Sequence, residues 1–129
     1  MLSLNIHKLN ETIIFQCIGR IVLGEGDILR RAVYRYPKIA TAVLDMAAVT
    51  AIDAAGLGTL VTLRNWTQAN GTELKLLNLT PRVENLLNIT HLRPILKVCS
   101  VRDIADLLCR AIHQSSLRTE FAAASRSTG

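Results

Sequence analysis

The feature that most constrains the fold is a short apolar run in the middle of the chain, Ile39 to Leu44, which shows almost no polar alternation. A strand covered on one face alternates apolar and polar residues, whereas a strand covered on both faces does not. This run is also rich in β-branched residues, which favour strands. It therefore predicts a central strand of a mostly parallel sheet.

Strand and helix patterns alternate along the rest of the chain. The predicted elements are strands over 2–7 and 12–18, a helix over 27–36, a strand over 39–44, a helix from 53 to 70, a strand over 74–77, a helix from 80, a strand over 95–98 and a helix after 100. The order β-β-α-β-α-β-α-β-α predicts an α/β fold, a mixed β-sheet with packed helices in which only the first pair is a hairpin.

Capping and breaking residues fix where several elements begin and end. Asp53 and Thr80 each precede a helical pattern and are of the types that accept hydrogen bonds from the first free amides of a helix. Gly71 is a left-handed stop, and Gly19 is expected to end the second strand. The stretch from Met46 to Ile52 is interpreted as a connector whose Val49 and Ile52 point inward.

The composition fits one domain with a tail. The chain has 129 residues, half of them apolar, and a formal charge of +5. We expect the domain over residues 1–114 and a flexible tail over 115–129, where Ser, Thr, Arg, Ala and Gly dominate. No tract is dense in Lys or Arg, so direct nucleic-acid binding is not expected. Neither a signal peptide nor a membrane segment is predicted, so we expect a cytoplasmic location without membrane insertion.

Nothing in the sequence predicts an enzyme. The three histidines lie on different elements, without a carboxylate or thiol at catalytic spacing. There is no phosphate-binding glycine loop, no metal-ligand spacing and no cofactor motif, so no catalytic residue, metal or cofactor is assigned. Asp45 and Asp53 are explained as a strand end and a helix cap.

The unusual stretch runs from Ile52 to Gly58, because it places two glycines in the first turns of a helix. Glycine there costs about 1 kcal/mol relative to alanine. Close packing of the helix start against the sheet would explain the glycines. So would an exposed helix start that a partner approaches closely. The two explanations are compatible.

The residues from Val43 to Met46 and from Val49 to Gly58 resemble the signature of the STAS domain family of bacterial anti-sigma factor antagonists. The likeness continues through Gly71, Leu74 to Asn78, Thr80 to Val83 and Leu86 to Leu92, and covers roughly residues 2 to 113. It implies a STAS-type fold. It also implies a protein in signal transduction and transcription regulation that binds an anti-sigma factor, an ATP-binding serine protein kinase.

The resemblance also implies a partner-binding site made of Asp45, Thr50, Asp53, Ala54, Ala55, Gly56, Leu57 and Gly58, flanked by the first helix near Gly24. The family commonly has Ser or Thr after the aspartate as phosphoacceptor, and the equivalent positions here are Ala54 and Ala55. Without a hydroxyl the antagonist would bind constitutively, or be regulated by abundance or a second partner.

Two alternatives stay open beside this interpretation. STAS domains also serve as accessory subunits of lipid-transport ATPase complexes of the ABC type, where a missing phosphoacceptor needs no explanation. A nucleotide phosphate could meet the helix start, but Asp53 puts a negative charge there and no basic residue is near in sequence. Whether the domain forms a homodimer is also open.

Overall fold

The computed structural model describes residues 1–100, and after them Arg102, Asp103, Ala105, Asp106 and Cys109, which are helical. Its elements are β1 (Ser3–Leu9), β2 (Thr12–Ile21), α1 (Gly26–Tyr34), β3 (Thr41–Ile52), α2 (Ala54–Ala69), β4 (Glu73–Leu77), α3 (Pro81–Ile89) and β5 (Lys97–Cys99).

The strands form a mixed sheet in the order β1-β2-β3-β4-β5. Strands β1 and β2 are antiparallel, and each later neighbour is parallel. The predicted α/β fold, with its hairpin and its central strand in mid-chain, is therefore confirmed.

The main core lies on the face of the sheet that the helices cover. Phe15, Leu44 and Leu76 lie side by side on adjacent strands and are fully buried. Leu60 and Leu87, from α2 and α3, belong to the same core. Each crossover leads to the next strand in the same direction, so right-handed connections put α1, α2 and α3 on one face. A smaller cluster of Val43, Leu77 and Cys99 is separate from it.

Strand β3 is longer than the sequence predicted. The expected connector over 46–52 is wrong, because these residues continue β3 to Ile52. Strand β4 pairs with β3 only as far as Asp45, and beyond that point β2 and β3 still pair with each other. Val49 and Ile52 do point inward, being 3% and 7% exposed. A two-stranded extension of the sheet therefore carries the start of α2.

Gly19 does not end β2, as was expected, but lies inside the strand. Its φ of +109° is one that glycine adopts readily, and the β2–β3 register shifts beside it. A Cβ there would lie 2.4 Å from the carbonyl oxygen of Met1. The glycine lets β2 pass close to the N-terminus and continue to Ile21.

Two other element boundaries differ from the predicted ones by two residues each. Helix α1 ends at Tyr34 rather than Tyr36, and β5 begins at Lys97 rather than Ile95. Ile95 lies in a turn whose backbone N–H donates to the carbonyl of Leu92, at 3.0 Å. Ile95 is therefore 43% exposed instead of paired in the sheet.

The predicted cap at Thr80 and the predicted stop at Gly71 are confirmed. Thr80 Oγ1 accepts from the backbone N–H of Val83 at 3.3 Å, and Gly71 after α2 has a φ of +73°. Ser100 and Asp103 form a reciprocal capping box: each backbone N–H donates to the other side chain, at 3.1 and 3.2 Å. Most of the final predicted helix, and the tail over 115–129, lie outside the described residues, so the tail stays a prediction.

The start of α2 is held by the carboxylate of Asp53. Oδ1 accepts from the backbone N–H of Gly56 at 2.8 Å, which caps the helix as predicted. Oδ2 accepts from the backbone N–H of Leu23, in the loop between β2 and α1, at 3.0 Å. The Leu23 bond and then the Gly56 bond lower the pKa of Asp53. One ionised side chain therefore joins the helix start to a loop thirty residues earlier.

The two glycines of α2 have different surroundings. A Cβ on Gly56 would lie 1.9 Å from the carbonyl oxygen of Ile21, so only glycine lets the helix start pack this closely against the end of β2. Among the described residues, a Cβ on Gly58 would meet nothing within 4 Å. Close packing therefore explains Gly56 and leaves Gly58 unexplained.

We predict opposite effects for the same substitution at these two positions. Gly56→Ala should lower the free energy of unfolding by about 1–3 kcal/mol, because its methyl group overlaps a backbone oxygen. Gly58→Ala should raise it by up to about 1 kcal/mol, because alanine favours the helix and space is open. Denaturant unfolding of both variants measures this, and equal effects would contradict the assigned packing.

We predict that Asp53→Asn destabilises the protein in a pH-dependent way. Asparagine also caps helices, but it has one acceptor oxygen and no charge. Because folding lowers the pKa of Asp53 below its usual 3.8, its stabilisation is full above that value and is lost as the pH falls through the lowered pKa.

Thermal unfolding of wild type and Asp53→Asn across this pH range is the measurement. The gap between their melting temperatures should be widest at neutral pH and should close in acid. Glu11→Gln, which removes an exposed carboxylate from the β1–β2 turn, is the control and should show little gap. If the difference in melting temperature between wild type and Asp53→Asn is independent of pH, the ionised carboxylate does not hold the β2–α1 loop to the start of α2.

Candidate functional site

The structure brings together most of the predicted partner-binding residues, at the point where β3 leads into α2. Residues 53–58 form the cap and the beginning of the helix. Thr50 lies near the end of β3, three residues before the cap. Asp45 is not among them. It lies eight residues before Asp53, which corresponds to roughly 25 Å of extended strand.

Asp45 is engaged elsewhere in the sheet. Its Oδ1 accepts from the backbone N–H of Ala47 at 3.1 Å and from Nδ2 of Asn78 at 3.2 Å. Asn78 follows β4 directly and has a φ of +57°. Asp45 therefore ties the end of β4 to β3, at a distance from the start of α2.

Exposure divides the remaining predicted residues into two groups. Ala54, Ala55 and Gly58 are exposed, and their spacing places them on neighbouring parts of one helix surface. Gly56 and Leu57 are buried, so they position the helix and are not available for direct contact.

The two positions predicted to be equivalent to the phosphoacceptor, Ala54 and Ala55, carry no hydroxyl. Ala54 and Ala55 are the first two residues of α2, and both are exposed. The nearest threonine along the helix, Thr59, is 4% exposed; its Oγ1 donates to the carbonyl of Ala55 and accepts from Arg30. Thr50 is exposed, and its Oγ1 donates to the carbonyl of Gly19 at 3.2 Å.

Leu23 is a site residue that the sequence analysis missed. It is 80% exposed, a high value for a leucine. It lines a depression of about 180 Å³ together with Ala55 from α2 and Gly24, Gly26 and Arg30 from the start of α1. An apolar residue just before the Gly24–Gly26 break was the only signal in the sequence. We call the exposed surface formed by Leu23, Ala54, Ala55 and Gly58 the α2 patch.

The charged groups around the α2 patch are already engaged within the chain. Asp27 forms an ion pair with Arg30, whose hydrogen bond lowers the pKa of the Asp27 carboxyl. Asp53 is held by two backbone amides, and Glu25 Oε2 accepts from the backbone N–H of Leu2 at 2.8 Å. The patch itself is small and apolar, with fixed charges at its border. Such a surface suits protein contact and carries no group arranged for proton or phosphoryl transfer.

Among the residues that the structure describes, no three His, Cys, Asp or Glu side chains lie close enough to share a metal ion. Within the same residues, none of the helices has the length and apolar character that crossing a bilayer requires.

Solved structures with the same fold include several anti-sigma factor antagonists. One, from Mycobacterium paratuberculosis, matches with a TM-score of 0.69 at 15% identity, over 84% of this chain and 94% of the other. SpoIIAA, an anti-sigma factor antagonist in its unphosphorylated form, matches with a TM-score of 0.68 at 14% identity, over 82% and 96%.

A sulfate transporter family protein from Wolinella succinogenes has the same fold too, with a TM-score of 0.64 at 20% identity over 81% of this chain and 89% of the other. At these identities the likeness shows the fold. The family is shown by the sequence: the model of the STAS domain matches residues 3–105, which include β1 to β5 and the α2 patch. The chain belongs to the STAS domain family.

Proposed function

We propose that this protein is an anti-sigma factor antagonist that binds an anti-sigma factor through the α2 patch. The partner would be of the ATP-binding serine kinase type, and its capture would release a sigma factor for transcription. The observation that carries the proposal is the α2 patch itself: an exposed, apolar start of a helix at the position where the family has its phosphoacceptor. Structural neighbours named as anti-sigma factor antagonists support the same function.

Gly58 supports a contact at this surface. It is exposed in the second turn of a helix, where glycine costs about 1 kcal/mol relative to alanine. No neighbour within 4 Å in the described part of the chain requires glycine there. A partner whose backbone lies directly against α2 would explain the missing side chain. Leu23, which is exposed and lines a depression together with Ala55, supplies apolar area for the same contact.

The binding is proposed to be constitutive. Phosphorylation would add about −1.5 to −2 charges at neutral pH, and placed at the patch this charge would repel a partner. Ala54 and Ala55 cannot accept a phosphate, and the Thr59 hydroxyl is buried. The protein would then be controlled by its abundance or by a second partner. We place it in the cytoplasm and assign it no catalytic role or cofactor.

A second candidate is an accessory subunit of a transport complex, of the lipid ABC type. The similarity to a sulfate transporter family protein favours a role beside a transporter. The two candidates differ in what co-purifies with the tagged protein from its host: a small ATP-binding kinase-like protein, or a permease with its ATPase.

We predict that Gly58→Arg abolishes binding to the cognate anti-sigma factor without unfolding the protein. The long charged side chain projects from the α2 patch into open space, so the fold tolerates it while a closely apposed partner does not. Binding is measured by titration calorimetry against the purified anti-sigma factors of the host. Asn85→Arg, an exposed position on α3, adds the same group elsewhere and should bind like wild type. A wild-type protein that binds none of these factors would disprove the proposal.

We predict that ATP does not dissociate the complex between this protein and the anti-sigma kinase. After incubation with the anti-sigma kinase and Mg-ATP, mass spectrometry should find no phosphate on residues 50–59, and size-exclusion chromatography should still show the complex. Phosphate on Thr50 or Thr59 together with release of the partner would contradict constitutive binding while leaving the antagonist function intact.

A further inference from the structure

A second cavity lies at the opposite end of α2 from the α2 patch. It has a volume of about 270 Å³, is open to solvent on one side, and is lined by the last turns of α2, the start of β4 and the turn that leads into β5. Arg64 lies ten residues after Ala54, which places the cavity about 15 Å farther along the helix. We call this cavity the Arg64 cleft.

The Arg64 cleft carries an excess of positive charge. Arg64 is half-buried, its Nη1 donates to Oδ1 of Asn65 at 3.1 Å, and no carboxylate of the described residues forms an ion pair with it. Glu73, the one acidic residue in the lining, is shared by Lys97 and, at 3.9 Å, by Lys75. Of the two cations in the lining, Lys97 therefore has a carboxylate partner, whereas Arg64 has none among the described residues.

The polar groups in the lining differ in whether their hydrogen-bond donors are already used within the fold. Thr67 Oγ1 donates to the carbonyl of Arg64 at 3.0 Å, and Thr72 Oγ1 donates to the carbonyl of Ile39 at 2.7 Å. Because these hydroxyls already donate to backbone carbonyls, the two threonines line the cleft without offering a free donor to a ligand. The remaining guanidinium donors of Arg64 and the exposed amide of Gln68 are the groups that can recognise a ligand.

One wall of the Arg64 cleft is apolar. It is made by Leu74, Pro94 and Ile95, and Ile95 is 43% exposed because it lies in a turn rather than in β5. A cavity with an apolar wall and a few converging polar groups is the usual form of a small-molecule site. Its volume of about 270 Å³ limits the ligand to a small molecule.

We propose that the Arg64 cleft binds a small organic carboxylate, with its head group on Arg64 and a short apolar tail against Pro94 and Ile95. The guanidinium presents a planar fork that fits a carboxylate through two parallel hydrogen bonds. The ligand would supply the anionic partner that Arg64 lacks among the described residues. The site lies apart from the α2 patch, so this proposal does not depend on the proposed function.

The test uses sodium hexanoate, which joins a carboxylate to a short alkyl tail. Full-length protein is titrated at constant ionic strength and followed by two-dimensional NMR and by thermal unfolding. Hexanoate should shift the backbone amide signals of residues 72–74 and 95–97 in a saturable way and raise the melting temperature. Acetate, which lacks the tail, should bind more weakly. Inorganic phosphate should not reproduce the pattern.

Two variants and one control decide the assignment. Arg64→Gln should weaken hexanoate binding about tenfold or more, because it removes a charge-assisted pair. Ile95→Asp, which puts a carboxylate on the apolar wall at an exposed position, should weaken binding as much without disturbing the core. Arg31→Gln removes one positive charge from an exposed position on α1 and should bind like wild type.

The proposal is overturned if hexanoate causes no saturable shifts, if phosphate alone binds, or if Arg64→Gln binds hexanoate as wild type does. Equal losses in Arg64→Gln and Arg31→Gln would also overturn it, since they would show attraction by net charge rather than a site.

Discussion

Burial of both faces of β3 is the constraint on which the rest of the structure depends. The first half of this strand is hydrogen-bonded to a neighbour on each side, and its Val43 and Leu44 face opposite clusters of buried residues. Its second half leaves β4 and continues with β2 alone. The same strand therefore organises the core and carries the start of α2 beyond the main sheet. Residues at this helix start, such as Ala54 and Ala55, are exposed.

The sequence predicted those features that depend on neighbours along the chain. The cap at Thr80, the stop at Gly71 and the cap at Asp53 were all correct, because each is decided within one turn of helix. The alternation of strand and helix then limited the topology, since crossovers are right-handed.

What the sequence did not predict depends on contacts between distant segments. Residues 46–52 look like a connector because they are small and mixed, and only their pairing with β2 makes them strand. Gly56 and Gly58 cannot be told apart in sequence, because the carbonyl of Ile21 that excludes a side chain from one of them is 35 residues away. Leu23 was missed for a related reason: its exposure follows from where the β2–α1 loop is tied down.

The double hydrogen bond of Asp53 has a consequence for any protein that docks on this surface. Because its two carboxylate oxygens hold Leu23 and Gly56 at once, the loop and the helix start are ordered together when the chain folds. The entropy of ordering them is lost at folding and not again on association. The surface is therefore preorganised, and docking can proceed as contact between rigid bodies with little backbone rearrangement.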